Sequence, residues 1–267
     1  MRTPLFLICT LLLLFACQKQ QSDDLTTGED ILQMDMDEND YVLEELYASN
    51  DCNADLSQVF PSCAQIIYSS SEYPKTITVD FGSGCIDSKG RTKKGKIIIY
   101  VTGDMKTEGS SKDITFDGFF INNVKIEGTK HAQNIGLNSS NNMVISISGE
   151  INATKNGSTR KRVFKRQREW INGYETCTVE DDEFLISGHG SITTLNGREI
   201  NHTITEAIHI RPHQCAYPLS GKVDFGTQLR GAILDFGNEN CDNIGAITLK
   251  RRNKTFQIDL DTRTIIH

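Results

Sequence analysis

Apolar and polar residues alternate one by one through much of this chain. Ile77, Val79 and Phe81 fall on one side of an extended segment, and Thr78 and Asp80 fall on the other. A period of two marks a strand with one buried face. Gly82-Ser83-Gly84 then offers a turn, Cys85 and Gly90-Arg91 follow, and Gly95-Lys96 leads into a second apolar run from Ile97 to Val101. A related unit returns near the end of the chain as Leu234-Asp235-Phe236-Gly237, Cys241-Asp242, Gly245, Ile247 and Leu249. A third Asp-Phe-Gly, Asp224-Phe225-Gly226, lies between them after Val223. The pattern predicts repeated strand–turn–strand units.

From Tyr73 onward the same reading predicts strands over 115–121, 124–128, 143–151, 161–171, 179–187, 191–195, 200–211, 221–225, 232–236, 246–250 and 256–260. Turn residues separate them at short intervals, as in a sandwich or barrel. Most prolines lie outside these segments, as ladder hydrogen bonding requires. Two related hairpins stand out. Ile147-Ser148-Gly149 runs to Asn156-Gly157, and Ile186-Ser187-Gly188 runs to Asn196-Gly197. Asn-Gly suits a type I′ turn, with positive φ at both central residues. The first arms differ by one residue, which a β-bulge would absorb. The expected fold is therefore all-β: an antiparallel meander of long hairpins over 73–267, forming a β-sandwich or half-open barrel. Residues 31–72 are expected to be a short helical and loop segment, since Tyr41, Val42, Leu43, Leu46 and Tyr47 have helical spacing with Glu44 and Glu45 opposite.

The start of the chain has a different pattern. Arg2 is basic, and residues 5–16 form an almost unbroken apolar run. Its length suits a signal peptide and is too short to cross ~30 Å of hydrocarbon as a helix. The run closes as Leu14-Phe15-Ala16-Cys17, which resembles the lipobox of bacterial lipoproteins. The resemblance implies that residues 1–16 are a signal peptide and that Cys17 takes a diacylglycerol thioether and an N-acyl chain. At about 0.8 kcal/mol per buried CH₂, two or three chains anchor a protein firmly. Residues 17–30 are polar without periodicity and read as a flexible tether. Gln18 follows the cysteine, so nothing resembles the inner-membrane retention signal. Ser22-Asp23-Asp24 resembles the short acidic export tag of Bacteroidota surface lipoproteins. The expected location is the outer membrane, on the cell surface, with the membrane as partner through acyl chains on Cys17.

Composition narrows this further. The net charge of −7 is unfavourable for general nucleic-acid binding, and no nucleic-acid partner is expected. Of eight cysteines, Cys9 leaves with the signal and Cys17 is the acylation site. Cys52, Cys63, Cys85, Cys177, Cys215 and Cys241 remain, an even set that in an exported chain predicts disulfides. Cys52–Cys63 is the best local pairing, bracketing a polar loop, and Cys215–Cys241 is the next expectation. No Cys-x-x-Cys occurs, which argues against zinc.

Other constellations point to structure. Asp-Phe-Gly occurs in protein kinases, but no phosphate loop or His-Arg-Asp accompanies it, and three copies are present. Asp80, Asp224 and Asp235 read instead as strand-end residues before a glycine turn. Asp35, Asp37 and Asn39 sit at calcium-loop spacing, yet Asp40 stands where glycine is needed and Leu46 where glutamate is needed. His209, Arg211 and His213 share a strand face near Cys215 and read as a polar face. Neither cofactor nor metal is expected. The basic stretch 160–168 invites a polyanion reading. If Ile171 pairs with Tyr174 across Asn172-Gly173, however, Lys165 faces Glu180 and Arg162 faces Glu183. Six acids over 160–183 then match six bases, and the hairpin should lie at a sheet edge or project from it.

Taken together, Asp-Phe-Gly, Asn-rich turns, Gly84-Cys85 with Gly90-Arg91, Cys241-Asp242-Asn243 and the lipobox resemble an uncharacterised family of Bacteroidota outer-membrane or surface lipoproteins. The resemblance implies location and fold; its motifs are structural glycines and cysteines. The leading functional expectation is a non-catalytic binding or envelope-structural module. The alternatives are a hydrolase of envelope or host polymers and a carrier of a lipid or other apolar ligand.

Overall fold

The computed structural model describes residues 60–266, apart from Ser88, Lys89, Cys177, Asn196, Arg230 and Arg263. The expected signal peptide, Cys17, the expected tether, the segment with helical spacing and Cys52 lie outside the described residues. Alternation becomes fifteen strands in one antiparallel sheet. They are β1 (Gln65–Tyr68), β2 (Lys75–Asp80), β3 (Cys85–Ile86), β4 (Thr92–Val101), β5 (Ser111–Ile121), β6 (Val124–Leu137), β7 (Met143–Lys155) and β8 (Ser158–Asn172). Then come β9 (Glu183–Thr193), β10 (Glu199–Ile210), β11 (Ser220–Gly226), β12 (Gly231–Asn238), β13 (Ile244–Leu249), β14 (Lys254–Asp259) and β15 (Thr264–Ile265). Each strand pairs with the next, except that β2 pairs with β4 and the short β3 attaches to β4. β1 and β15 stand at opposite ends of the order, so the sheet is not closed into a barrel. It begins at Gln65, ahead of the expected boundary at residue 73, because 65–68 pair with Ile77–Asp80 as an added edge strand.

One face carries the core. Ile77, Val79, Ile97, Ile99, Ile114, Phe164 and Trp170 belong to a first apolar cluster. Ile186, Ile204, Val223, Phe225, Leu234, Phe236 and Ile247 belong to a second. Ile210 packs against both. The long hairpins lie in the middle: β8 has 15 residues, roughly 50 Å at 3.4 Å each. Asn156 and Gly157 have φ of 52° and 78°, as a type I′ turn requires, and Lys155 pairs with Ser158 across it. In the related β9–β10 hairpin the extra residue sits in the connection. Thr193 pairs with Glu199, and the Thr194 N–H donates to the Arg198 carbonyl at 2.9 Å. No bulge is needed for it, since a surface turn takes an added residue without unpairing the ladder.

Asp-Phe-Gly has a structural purpose in each copy. Phe81, Phe225 and Phe236 are fully buried. The Gly82 N–H donates to Asp80 Oδ1 at 2.8 Å, and the Gly237 N–H donates to Asp235 Oδ1 at 3.0 Å. Gly82, Gly226 and Gly237 all have positive φ, which glycine adopts freely. The Asp80 carboxyl is held below its ordinary range, first by the Gly82 N–H, with burial opposing and Lys96 assisting. Asp80 closes β2 as expected, whereas Asp224 and Asp235 lie inside β11 and β12. There Asp224 pairs with Lys250.

Two disulfides join described residues. Cys215 bonds to Cys241, as the sequence suggests. Cys63 bonds to Cys85 and not to Cys52. The Ala64 N–H donates to the Pro61 carbonyl at 2.8 Å, and this turn leaves Cys63 beside the buried Cys85 at the start of β3. Cys177 lies outside the described residues.

The basic hairpin differs most from expectation. Residues 179–181 form a single 3-10 turn, Val179–Asp181, and β9 starts only at Glu183. Trp170 pairs with Phe184 and Asn172 with Glu183, so the connection spans ten residues instead of a tight turn. A buried bond organises it: the Trp170 Nε1–H donates to Asp182 Oδ1 at 3.0 Å. Trp170 also packs against Phe184 and Tyr174, with ring centroids 5.2 and 5.8 Å away. Lys165 therefore stands opposite Ser148 and His189, and Arg162 opposite Ile151 and Ile192. Glu180 and Glu183 face neither. β8 is an interior strand between β7 and β9, not an edge.

Candidate functional site

Two places gather chemistry-bearing side chains. The first lies where β9, β10, β11 and β12 meet. His209 near the end of β10 directs Nδ1 to Glu239 Oε2 at 2.6 Å and Nε2 to Glu183 Oε2 at 3.3 Å. Arg211 Nε lies 3.1 Å from Glu183 Oε1. The Ser220 hydroxyl donates to the other oxygen of Glu239. This bond is the main reason the Glu239 carboxyl is held below its ordinary range; burial opposes it, and His209 and Arg211 add to it. Backbone bonds set the arrangement. The Leu219 N–H donates to the His209 carbonyl and the Glu239 N–H to the Leu219 carbonyl, both at 2.8 Å. The Cys215–Cys241 bridge closes the same end of the sheet. His209 and Arg211, expected on one polar strand face, thus share the Glu183 carboxylate. His213 lies beyond the strand, where burial holds it below its ordinary pKa against the pull of Glu180. Neither Glu183 nor Glu239 was legible as a partner in sequence, since the ladder brings them from 26 and 30 residues away. Among the described residues no group of three or more His, Cys, Asp or Glu side chains is placed to hold a metal ion.

The second place is the inward face of β8. Arg162, Phe164, Arg166, Arg168 and Trp170 are all buried, while Val163, Lys165 and Gln167 point outward and are exposed. The bases do alternate onto both faces, but the inner ones join the core side of a central strand. Aromatic rings accept them: Arg162 and Arg166 flank the Phe164 ring at 5.8 and 5.9 Å, and Arg168 lies 5.3 Å from the Phe184 ring. Gly149 and Gly190 stand on either side of Phe164 in the ladder. A Cβ at Gly149 would lie 2.7 Å from the Phe164 ring, so small residues make its place. Lys112 and Lys130 share this inward face, opposite the buried Ala132 and Ile114. On the outer face, Lys161 pairs with Glu150 at 2.7 Å.

A smaller buried pair lies at the sheet's other end. Lys93 Nζ is 3.4 Å from Asp87 Oδ2, and Arg91 bonds to the same carboxylate at 2.7 Å. Burial pushes the Asp87 carboxyl up, but the Arg91 bonds and the Arg91 and Lys93 charges outweigh it and leave it below its ordinary 3.8. A carboxyl depressed in the folded state adds stability above its unfolded pKa and loses it as pH falls through the folded value. Asp87→Asn is therefore expected to weaken the protein at pH 7 and to flatten the loss of stability below about pH 4. Urea midpoints from pH 7 down to 2 would check this, and parallel curves for the two proteins would refute it. No family model, curated protein or solved structure matches the chain.

Proposed function

We propose that this protein is a lipid-anchored lipoprotein of the bacterial outer membrane, on the cell surface, whose β domain is a non-catalytic binding or envelope-structural module. The location rests on the apolar run 5–16, the lipobox-like close at Cys17 and the polar stretch after it. The bridges Cys63–Cys85 and Cys215–Cys241 suit an oxidising compartment. The finer form of the fold, in this reading, is a half-open barrel or sandwich that turns its apolar face inward.

The bonding of Ser220 carries the non-catalytic part. In the Ser-His-Asp arrangement a serine nucleophile places its hydroxyl on the imidazole of its base. Here the hydroxyl donates to Glu239, and both ring nitrogens of His209 face carboxylates. These residues tie four strands together instead of activating one another.

The anchor is tested directly. Cys17→Ser is expected to leave an unacylated precursor that no longer sediments with the outer membrane. Mass spectrometry of the wild-type N-terminal peptide should show the acylated cysteine; an unmodified Cys17 there would reject the proposal.

A further inference from the structure

In an antiparallel meander, alternate turns fall at the same end of the strands. From β4 onward the connections at 121–125, 154–159, 193–199, 226–231 and 249–254 lie at one end. Those at 102–110, 138–142, 173–182, 211–219 and 239–243 lie at the other. The two ends differ sharply in charge. Among the described residues the first set holds seven bases and one acid, Glu199. The second set holds eight acids and two bases, Lys106 and Arg211. Two of the seven bases bond to nearby acids, Lys125 to Glu127 and Lys250 to Asp224. Lys155, Arg251 and Lys254 are exposed. The separation is long enough to matter. β11 has 7 residues, roughly 24 Å at 3.4 Å each, against a Debye length of about 8 Å at physiological salt. A surface that approaches the basic end therefore meets the charge of that end and not the net −7 of the chain.

The same end exposes aliphatic side chains. Leu229, in the β11–β12 turn, is 73% exposed, and Leu195, in the β9–β10 turn, is 52% exposed. Ile86 of β3 is 65% exposed, and it pairs with Thr92, the first residue of β4, at this end. Leu229 and Ile86 are the most exposed large apolar side chains among the described residues. A soluble polyanion would take the bases and leave the leucines in water. A bilayer takes both: headgroup phosphates meet Lys and Arg, and the acyl boundary meets Leu. The described chain also enters the sheet here. β2 runs from the acidic end, where Lys75 pairs with Val101, to Asp80 at the basic end. Gln65, the first residue of β1, pairs with Asp80, and the Cys63–Cys85 bridge ties this entry to β3.

We propose that the basic, leucine-tipped end of the sheet docks on the anionic headgroups of a lipid bilayer. The proposal deepens the membrane location proposed above. Acyl chains on Cys17 tether the domain, and the tip sets its orientation, with the acidic end pointing away from the surface.

The test uses the chain from residue 17 carrying Cys17→Ser, so that no acyl chain contributes. Vesicles of phosphatidylglycerol and phosphatidylcholine in equal parts are compared with vesicles of phosphatidylcholine alone. The protein is expected to bind the anionic vesicles, less tightly as salt rises, and not the neutral ones. Lys155→Gln, Arg251→Gln and Lys254→Gln combined should weaken binding about 100-fold, at about fivefold per charge. Lys106→Gln, Lys165→Gln and Lys222→Gln change net charge equally but lie elsewhere on the sheet. Together they should change binding no more than about threefold. Leu195→Ser with Leu229→Ser should weaken it about tenfold and leave the salt dependence as it was. Absence of binding to the anionic vesicles, or equal losses in the two sets of basic substitutions, would overturn the proposal. So would a leucine variant that binds as tightly as its parent, since the bases would then serve a soluble polyanion. Cys17 is already replaced in this measurement, so its failure leaves the acylation reading standing. An unmodified Cys17 in the wild-type peptide, in turn, leaves the docking surface standing.

Discussion

Phe81→Ala is expected to cost about 3–5 kcal/mol of stability. Phe81 is 1% exposed and packs on Phe119, with ring centroids 5.6 Å apart, so its removal leaves a cavity lined by β-sheet side chains. Those neighbours are held in register on both sides by ladder bonds and cannot collapse far. Phe225→Ala and Phe236→Ala are expected to cost about as much, because both rings are equally buried in the second cluster. Asp80→Ala removes the acceptor for the Gly82 N–H and a partly exposed ion-pair partner of Lys96 at 3.4 Å, and should cost about 1–2 kcal/mol. Urea unfolding of the four variants would establish the ranking. A Phe81→Ala protein within 1 kcal/mol of wild type, on that ~1 kcal/mol scale of a single hydrogen bond, would show that the repeated motif is not a core device.

Loss of either described bridge should be the next largest effect. Cys63–Cys85 closes a separation of 22 residues and Cys215–Cys241 one of 26. Chain entropy alone then predicts about 3–4 kcal/mol for each. The two bridges lie in different parts of the sheet, so the costs should add approximately. Cys63→Ser with Cys85→Ser, and Cys215→Ser with Cys241→Ser, measured separately and together by urea midpoint, would show this. A wild-type protein whose midpoint ignores a reducing agent would refute it. Non-reducing peptide mapping should recover both bridges.

Local chemistry alone determined a good deal of this protein. Alternation placed most strands and their buried face, because a strand's side chains switch sides at every residue whatever surrounds it. Asn156-Gly157 announced its turn because few other residues accept positive φ twice in succession. The expected pairing of Cys215 with Cys241 is the one the fold makes. Tertiary structure decided the rest. Asn172-Gly173 has the same local signature as Asn156-Gly157, yet the Trp170 indole and the buried Asp182 draw the chain into a longer connection. That moved the expected cross-strand partners of Lys165 and Arg162, and the interior place of the basic strand buries Arg162, Arg166 and Arg168. Cys63 joined Cys85, and Glu183 and Glu239 reached His209, for the same reason. Side-chain periodicity is a property of one strand, whereas register belongs to two, and the burial of distant side chains is what selects it.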